Sequence, residues 1–276
     1  MSIKSSVRRF TIKLLSIFGD RDRIIVHHWT RRPLRLNLFR HRGYWWKGKN
    51  RERETIEAIY RLIKPGDMVV ELGGHIGYLS QIFADLAGTT GKVVVFEPSV
   101  GNSSYLKANV GFFDNVEVIE KAVGNEIGEV VFYEEGLSGQ NNSLIREYDI
   151  FEHNRSEAGV EVKVMETRVS CTTLDHECTA VGWHPSFIKI DVEGAELMAL
   201  QGALAVLKSD RPLLMVEISN NISECFALLD SAGYDFFKPN GAMVVVEPGT
   251  TVFNIFAFPR ERTVELLRAL DSNANL

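Results

Sequence analysis

The chain has 276 residues, a formal net charge of −5 and 45% hydrophobic residues, enough to form the core of one large domain with an extension. No stretch approaches 18 uncharged apolar residues, so the sequence predicts no membrane-spanning helix. Residues 1–19 look superficially like a signal peptide, but Lys13 interrupts the apolar part and no small-residue cleavage site follows. We therefore predict a cytoplasmic protein.

Charge is distributed unevenly along the chain. Residues 1–53 contain 15 basic and 3 acidic residues, a net charge of +12, whereas the remaining 16 basic and 33 acidic residues give −17. We therefore predict a basic N-terminal extension over residues 1–50 and a single α/β domain over residues 51–276. The extension either docks on the acidic body or presents its cations to an acceptor or a membrane surface.

Within the extension, residues 1–18 have the spacing of a short amphipathic helix. Residues 21–46 alternate hydrophobic and basic side chains, which predicts a small hairpin or an extended cover. Residues 51–64 show helical spacing, and the Pro-Gly-Asp sequence that follows ends this helix before the first core strand.

The predicted domain is organised around residues 67–80, DMVVELGGHIGYLS. An apolar run predicts a buried strand ending at Glu71, and a turn with Gly73 and Gly77 leads into a helix that begins near Tyr78. Such a turn lets backbone approach a ligand, and the helix start offers unpaired N–H groups. The spacing does not supply the G-x-G-x-x-G of dinucleotide-binding folds. It resembles the first motif of the class I S-adenosylmethionine-dependent methyltransferases.

A second buried strand, within residues 91–99, ends at Glu97. An acid about 20 residues after the first glycines is placed to bind ribose hydroxyls. The other predicted elements are a helix at 99–111, strands at 116–119, 129–133, 160–165, 186–191 and 213–217, helices at 194–208, 221–232 and 260–270, and a hairpin of 242–247 with 251–258. A long polar loop, residues 137–159, separates the strands at 129–133 and 160–165.

Three further segments resemble the FkbM-type methyltransferases: FIKIDVEGAELMALQGA at 187–203, TLD at 173–175 and RPLLMVEIS at 211–219. The resemblance covers roughly residues 50–220. It implies a doubly wound, mostly parallel seven-stranded sheet with strand order 3-2-1-4-5-7-6, a Rossmann-like fold closed by an antiparallel hairpin. It also implies S-adenosylmethionine as the cofactor. This chain has Glu71 where the family usually has Asp, which keeps the charge on a longer arm.

The resemblance also implies cofactor contacts. Glu71, Gly73, Gly77 and Tyr78 lie at the turn that meets the amino-acid end of the cofactor. Ala122 and Val123 are candidates for the adenine pocket, and Asn142 and Ser143 for the turn near the sulfonium.

Four acids, Glu71, Glu97, Asp191 and Glu217, are predicted at carboxyl ends of strands, where ligands lie in open α/β sheets. Asp191 is the expected catalytic centre, as a base or as a metal ligand with Glu217, although no metal site is predicted. Lys189 shares a face with Asp191 and needs an acidic partner if buried. A purely structural Lys189–Asp191 pair is the alternative.

The sequence therefore predicts O-methylation of a hydroxyl on a sugar, glycan or secondary metabolite. An NAD(P)-dependent oxidoreductase and an inactive methyltransferase-like binding module are the alternatives, and a nucleic-acid partner is not expected. The sequence leaves open whether the chain forms a homo-oligomer. Cys171, Cys178 and Cys225 are predicted to be reduced structural thiols, because their spacing matches no zinc finger.

Overall fold

The computed structural model describes residues 21–135, 139–140, 142–145, 164–246 and 254–271. Its strands are β1 (Asp22–Val26), β2 (Pro33–Asn37), β3 (Met68–Leu72), β4 (Lys92–Phe96), β5 (Val116–Ile119), β6 (Ala122–Val123), β7 (Gly128–Glu135), β8 (Val164–Thr172), β9 (Phe187–Ile190), β10 (Leu213–Val216), β11 (Tyr234–Phe237) and β12 (Ile255–Pro259). Its α-helices are α1 (Arg42–Trp46), α2 (Arg53–Leu62), α3 (Tyr78–Ala87), α4 (Val100–Val110), α5 (Leu174–Val181), α6 (Glu196–Gln201), α7 (Leu204–Ser209), α8 (Ile222–Ser231) and α9 (Thr263–Asp271).

Seven of these strands form one mixed sheet in the order β11-β12-β10-β9-β3-β4-β5. The five strands from β10 to β5 are parallel, and β12 runs antiparallel between β10 and β11. Numbered by their succession in the chain, the strands follow the order 3-2-1-4-5-7-6. The predicted doubly wound fold with a terminal antiparallel pair is confirmed.

The core lies on both faces of this sheet. Successive residues of a strand point to opposite faces, so Val69 packs in one apolar cluster and Val70 in the other. The same alternation separates Phe187 from Ile188. Helices cover both faces, which explains why the central strands are continuous apolar runs.

The described part of the extension packs on the domain. β1 and β2 form a two-stranded antiparallel sheet, and Leu34 and Leu36 are fully buried in the core. At the rim, Arg32 pairs with Asp85 on α3 at 2.8 Å. The hairpin predicted within residues 21–46 is confirmed, and the helix predicted over residues 1–18 lies outside the described residues.

The terminal hairpin differs from the prediction in its first strand. Residues 242–246 form no strand and touch the sheet edge through one bridge, Phe237 to Met243. β11 pairs with β12 instead, because Tyr234 and Phe237 fill the core while Met243 and Val245 stay exposed. The predicted turn at Pro248-Gly249 lies outside the described residues.

The helix predicted over residues 194–208 is two helices, α6 and α7. Gly202 is pressed against the Gly124 carbonyl, where an added Cβ would lie 1.9 Å from the oxygen. The Gly202 carbonyl accepts the Asp175 N–H at 2.9 Å. The Asp175 carboxylate accepts the N–H groups of Ala205 and Val206, so it caps a new helix.

A smaller three-stranded sheet has the order β6-β8-β7. The strand predicted at 160–165 is β8, which extends to Thr172, and its residues before 164 lie outside the described ranges. The three cysteines are buried free thiols, as predicted. Among the described helices, none is long and apolar enough to cross a bilayer.

Candidate functional site

The glycine turn after β3 is held between two neighbouring strand ends. Gly73 has φ +83 and donates its N–H to the Phe96 carbonyl at 2.9 Å. An added Cβ would lie 1.9 Å from the Asp191 carbonyl oxygen, so the close approach requires glycine. Gly77 has φ +84 and packs against Leu106, directly before α3 begins.

Two other residues of this segment, Glu71 and Tyr78, are buried. Glu71 lies inside the sheet, where its Oε2 accepts the Ser80 hydroxyl at 2.5 Å. Burial raises the pKa of Glu71 to about 7, with Lys189 opposing the shift. The Tyr78 hydroxyl is also buried, and in the described part of the chain it has no hydrogen-bond partner. Burial raises the pKa of Tyr78, so at neutral pH the hydroxyl remains a donor.

Glu97 follows β4 and is 4% exposed. Its Oε2 accepts the His75 N–H at 2.7 Å, and its Oε1 accepts the Ser99 N–H at 3.0 Å. Burial raises the pKa of Glu97 to about 7, and these hydrogen bonds oppose the shift. The Asn102 side-chain N–H also donates to Oε1, at 3.4 Å. Oε2 therefore has room for a second hydrogen bond, from a hydroxyl of a bound ligand.

Glu97 lines a cleft, here called the apolar cleft, which holds about 560 Å³ of free space including the part open to solvent. Ala122 and Val123 are buried in its wall, beside Phe96 and Phe132. These apolar side chains lie next to the buried Glu97 carboxylate, a combination that suits a base attached to a ribose.

The two loop candidates occupy different positions. Asn142 lines the apolar cleft, and its Oδ1 accepts the Glu135 N–H at 2.8 Å. Ser143 is fully buried and donates its hydroxyl to the Glu193 carbonyl at 2.6 Å. Ser143 therefore fixes the loop to the strand end that carries Asp191 and is not part of the cleft wall.

A second cavity, here called the charged cavity, adjoins the apolar cleft. Gly73, His75 and Asp191 are among the residues that line both. The charged cavity holds about 690 Å³ of free space, including open solvent. Ionisable side chains dominate its lining: Arg51, Glu52, Glu71, His75, Lys189, Asp191, Glu193 and Glu217. Three of the four predicted strand-end acids, Glu71, Asp191 and Glu217, therefore meet here, and Glu97 faces the neighbouring cleft.

Lys189 is 3% exposed and is engaged on three sides. Its Nζ donates to the Gly73 carbonyl at 2.6 Å and lies 3.1 Å from Asp191 Oδ2 and 3.6 Å from Glu71 Oε1. These acids raise the pKa of Lys189 against the opposing effect of burial. The predicted partner Asp191 is confirmed. Glu71 is a second partner that the sequence did not reveal.

Glu217 and Asp191 follow paired strands, β10 and β9, and the Glu217 N–H donates to the Ile190 carbonyl at 2.9 Å. The negative charge of Asp191, followed by burial, raises the pKa of Glu217 to about 8. Like charges on adjacent strand ends repel each other, which favours the protonated form of Glu217. Near neutral pH the Glu217 carboxyl therefore holds its proton.

The loops that bear this pair are joined by Glu196, a residue the sequence analysis missed. Its side chain is fully buried and accepts the Gly194 N–H at 2.7 Å and the Ser219 N–H at 3.3 Å. The bonds connect the segment after β9 to the segment after β10. Glu196 therefore sets the spacing of Asp191 and Glu217.

The extension contributes one wall of the charged cavity, which the sequence also did not reveal. The Tyr44 hydroxyl contacts His75 Nδ1 at 2.9 Å, and Arg51 lies over the Tyr44 ring at 4.2 Å. Arg51 also pairs with Glu52 at 3.0 Å. The only local signal was the Tyr-Trp-Trp run at 44–46 next to a basic segment, and it gave no direction for the side chains.

Within the described ranges, no group of three His, Cys, Asp or Glu side chains could hold a metal ion.

The sequence matches one family model, described as the Methyltransferase FkbM domain, over residues 71–236, which is 166 of the 276 residues. A search of curated proteins finds no significant match.

Among solved structures, a methyltransferase FkbM from Methylobacillus flagellatus KT is 16% identical, with a TM-score of 0.44 over 72% of this chain and 47% of its own. The present chain thus spans about half of that relative's length. A SAM-dependent O-methyltransferase from Thermotoga maritima is 13% identical, with a TM-score of 0.42 over 75% of this chain and 64% of its own. Aeropyrum pernix fibrillarin, solved with S-adenosyl-L-methionine, is 13% identical, with a TM-score of 0.40 over 73% of this chain and 72% of its own.

Proposed function

The chain belongs to the FkbM methyltransferase family, and on that premise we propose that it methylates a hydroxyl oxygen of a sugar, glycan or secondary metabolite. The cofactor of the family is S-adenosylmethionine, which decides against the nicotinamide alternative. The observation that supports an oxygen acceptor is the Asp191–Glu217 pair, with the pKa of Glu217 raised to about 8, beside the cofactor cleft. A hydroxyl must lose its proton during transfer, and such a pair is a suitable base.

The residues present fit the cofactor at both of its ends. Glu97 Oε2 has an acceptor site for a ribose hydroxyl, and Ala122 and Val123 provide an apolar wall for adenine. Tyr78 lines the charged cavity, and its buried hydroxyl, without a partner among the described residues, would serve as a donor for the methionine carboxylate. Bound S-adenosylmethionine supplies an electrophilic methyl group on a sulfonium.

The acceptor hydroxyl would lie in the charged cavity, where bound S-adenosylmethionine would supply the methyl group and leave as S-adenosylhomocysteine. The proton of the acceptor hydroxyl would pass to the Asp191–Glu217 pair. Asp191 raises the basicity of Glu217 through its charge, and Lys189 holds Asp191 in place at 3.1 Å. Glu217, rather than Asp191 alone, is therefore our candidate for the group that takes the proton.

The test is product analysis. Purified protein is incubated with S-adenosylmethionine carrying a ¹³C methyl group and a library of hydroxylated glycosides and cyclic alcohols. We expect a methyl ether, identified by its ¹³C shift, and one S-adenosylhomocysteine for each ether formed. Transfer to nitrogen, carbon or a carboxylate in place of a hydroxyl would contradict the proposal.

We also propose that the protein is cytoplasmic and acts on a small-molecule or glycan acceptor. The buried free thiols support a reducing compartment. The acidic body, with a net charge of −17 outside residues 1–53, is unfavourable for a nucleic-acid acceptor.

A further inference from the structure

The charged cavity contains more acids than bases. Among the described residues that line it, five bear carboxyl groups and two are cations: Glu52, Glu71, Asp191, Glu193 and Glu217 against Arg51 and Lys189. Tyr78 lines the same space, and its buried hydroxyl has no hydrogen-bond partner among the described residues. Tyr44 of the extension lines it too, as do Arg51 and Glu52, the first residues of the domain.

Both cations already have partners. Lys189 is bound to the Gly73 carbonyl, Asp191 and Glu71 within 3.6 Å. Arg51 pairs with Glu52 at 3.0 Å, and its guanidinium lies on the Tyr44 ring. In the proposed function the Tyr78 hydroxyl is taken by the methionine carboxylate of the cofactor, so a second anionic group, carried by the acceptor, would have to displace one of these partners. It would also lie close to several carboxylates, an arrangement that like-charge repulsion disfavours.

Glu52 has the clearest position for contact with an acceptor. Its side chain is 32% exposed and lines the cavity, and its negative charge helps to raise the pKa of Glu217. Its φ of +49 is unusual for a non-glycine residue. His75 and Glu193, also at positive φ, line the same cavity, and strained residues of this kind concentrate at ligand sites.

We infer, resting on the proposed function, that the acceptor is uncharged or cationic and that Glu52 is its specificity-determining residue. The Glu52 carboxylate accepts a hydrogen bond from a second donor on the acceptor, a neighbouring hydroxyl or an ammonium group. Acceptors that bear a carboxylate or a phosphate beside the methylated hydroxyl are rejected by the acidic lining.

The experiment uses three methyl glycosides of one hexose as probes: the neutral sugar, its 2-amino derivative and its 6-carboxylate. Their dissociation constants are measured on the full chain loaded with S-adenosylhomocysteine, by saturation-transfer NMR. We expect the amino and neutral glycosides to bind at least about tenfold more tightly than the carboxylate. Calorimetry first measures whether the protein binds S-adenosylhomocysteine. Absence of that binding would contradict the proposed function, whereas the order of affinities for the three glycosides tests the role of Glu52.

Glu52→Asn removes the charge and keeps a residue that tolerates positive φ. We expect the variant to lose most of the discrimination, because Arg51 is then free to pair with the carboxylate glycoside. Arg31→Asn is the matched control, since Arg31 has φ +61 but lies in the β1–β2 turn away from the cavity. Equal binding of the carboxylate glycoside to the unmodified protein, binding by none of the three, or unchanged discrimination in Glu52→Asn at an unchanged Tm would each overturn the inference.

Discussion

The backbone of Gly73 lies directly against the carbonyl oxygen of Asp191, at a separation that leaves no room for a side chain. This contact fixes the cofactor turn after β3 to the strand end that bears the proposed catalytic acid. Lys189 reinforces it, because its Nζ binds both the Gly73 carbonyl and the Asp191 carboxylate. One local arrangement therefore sets the positions of the proposed cofactor site and of the Asp191 carboxyl group.

Gly73→Ala should disrupt this arrangement. The new Cβ would lie 1.9 Å from the Asp191 oxygen and would also have to adopt φ +83. We expect the free energy of unfolding to fall by more than the roughly 1–3 kcal/mol of backbone strain alone, and S-adenosylhomocysteine affinity to drop at least tenfold. Urea denaturation and calorimetry measure the two effects. Gly88→Ala is the control. Gly88 has φ +65 and no atom within 4 Å of its Cβ position, so this substitution introduces backbone strain without a steric clash. Equal losses in the two variants would contradict the contact's importance.

Glu97→Gln keeps the shape of the side chain and removes its charge. Hydrogen bonds to a charged group contribute about 1.5–3 kcal/mol each, so the loss of charge-assisted ribose contacts should weaken cofactor binding by at least ~2 kcal/mol. Calorimetry with S-adenosylhomocysteine measures this. Glu117→Gln, in an exposed pair with Lys92, should leave affinity unchanged. Tight binding of NAD by the unmodified protein with no response to S-adenosylhomocysteine would refute the cofactor assignment.

Tyr78→Phe removes only the hydroxyl oxygen that lacks a partner within the described structure. Because no protein hydrogen bond is lost, stability should stay the same or rise slightly. Cofactor affinity should fall by roughly fivefold to tenfold if this hydroxyl binds the methionine carboxylate. Thermal denaturation and calorimetry on the same sample separate the two. A variant that loses stability but keeps affinity would show that the hydroxyl has a structural role.

Activity should depend on the proton held by the acid pair. The pKa of Glu217 is raised to about 8, so kcat/KM should increase with pH and level off above about 8 as the base loses its proton. Asp191→Asn removes the charge that is the largest cause of this shift. The acidic limb should then move to lower pH, and the plateau value of kcat/KM should fall because Glu217 becomes a weaker base.

Glu217→Gln should abolish the limb altogether, lower turnover by roughly 10²–10⁴ because the base is lost, and leave cofactor affinity unchanged. The pH profile of kcat/KM for the three proteins is the measurement. If activity survives in Asp191→Asn with the same limb, while the protein melts early, the Lys189–Asp191 pair is structural. Activity that persists after thorough chelation would exclude an essential metal.

Two buried histidines in the extension should stay neutral at neutral pH. Burial lowers the pKa of His27 and of His41 to about 4, and the His27 Nδ1 accepts the N–H groups of Trp29 and Thr30. Their ring proton resonances should not shift between about pH 5.5 and 8, and should titrate near the ordinary value of about 6.5 in urea. Between those pKa values only the unfolded chain binds the protons. Their contribution to stability is therefore complete above about pH 6.5 and is lost as the pH falls toward 4. Titration of either ring near 6.5 in the folded protein would contradict this.

By itself the sequence predicted the buried strands and the acids at their ends, and the resemblance to the FkbM-type methyltransferases supplied the order of the strands. Buried apolar runs that end in acids, each followed by a helical pattern, specify parallel strands, and their carboxyl ends necessarily meet at one edge. The positions of Glu97, Asp191 and Glu217 followed from that topology without knowledge of any side-chain contact. Periodicity failed where burial was decided elsewhere: Val245 and Met243 look like a strand locally, but Tyr234 and Phe237 fill the core.

The tertiary structure decided which side chains share a cavity. Arg51 and Glu52 line the same space as Asp191, although some 140 residues separate them in sequence and no local pattern links them. Likewise the pKa of Glu217 is raised by the charge of Asp191 at the end of the adjacent strand. Lys189 on β9 gains its second partner, Glu71, because β9 pairs with β3. Periodicity and spacing describe one segment at a time, whereas charge interactions depend on distances between segments, which are fixed only when the core packs.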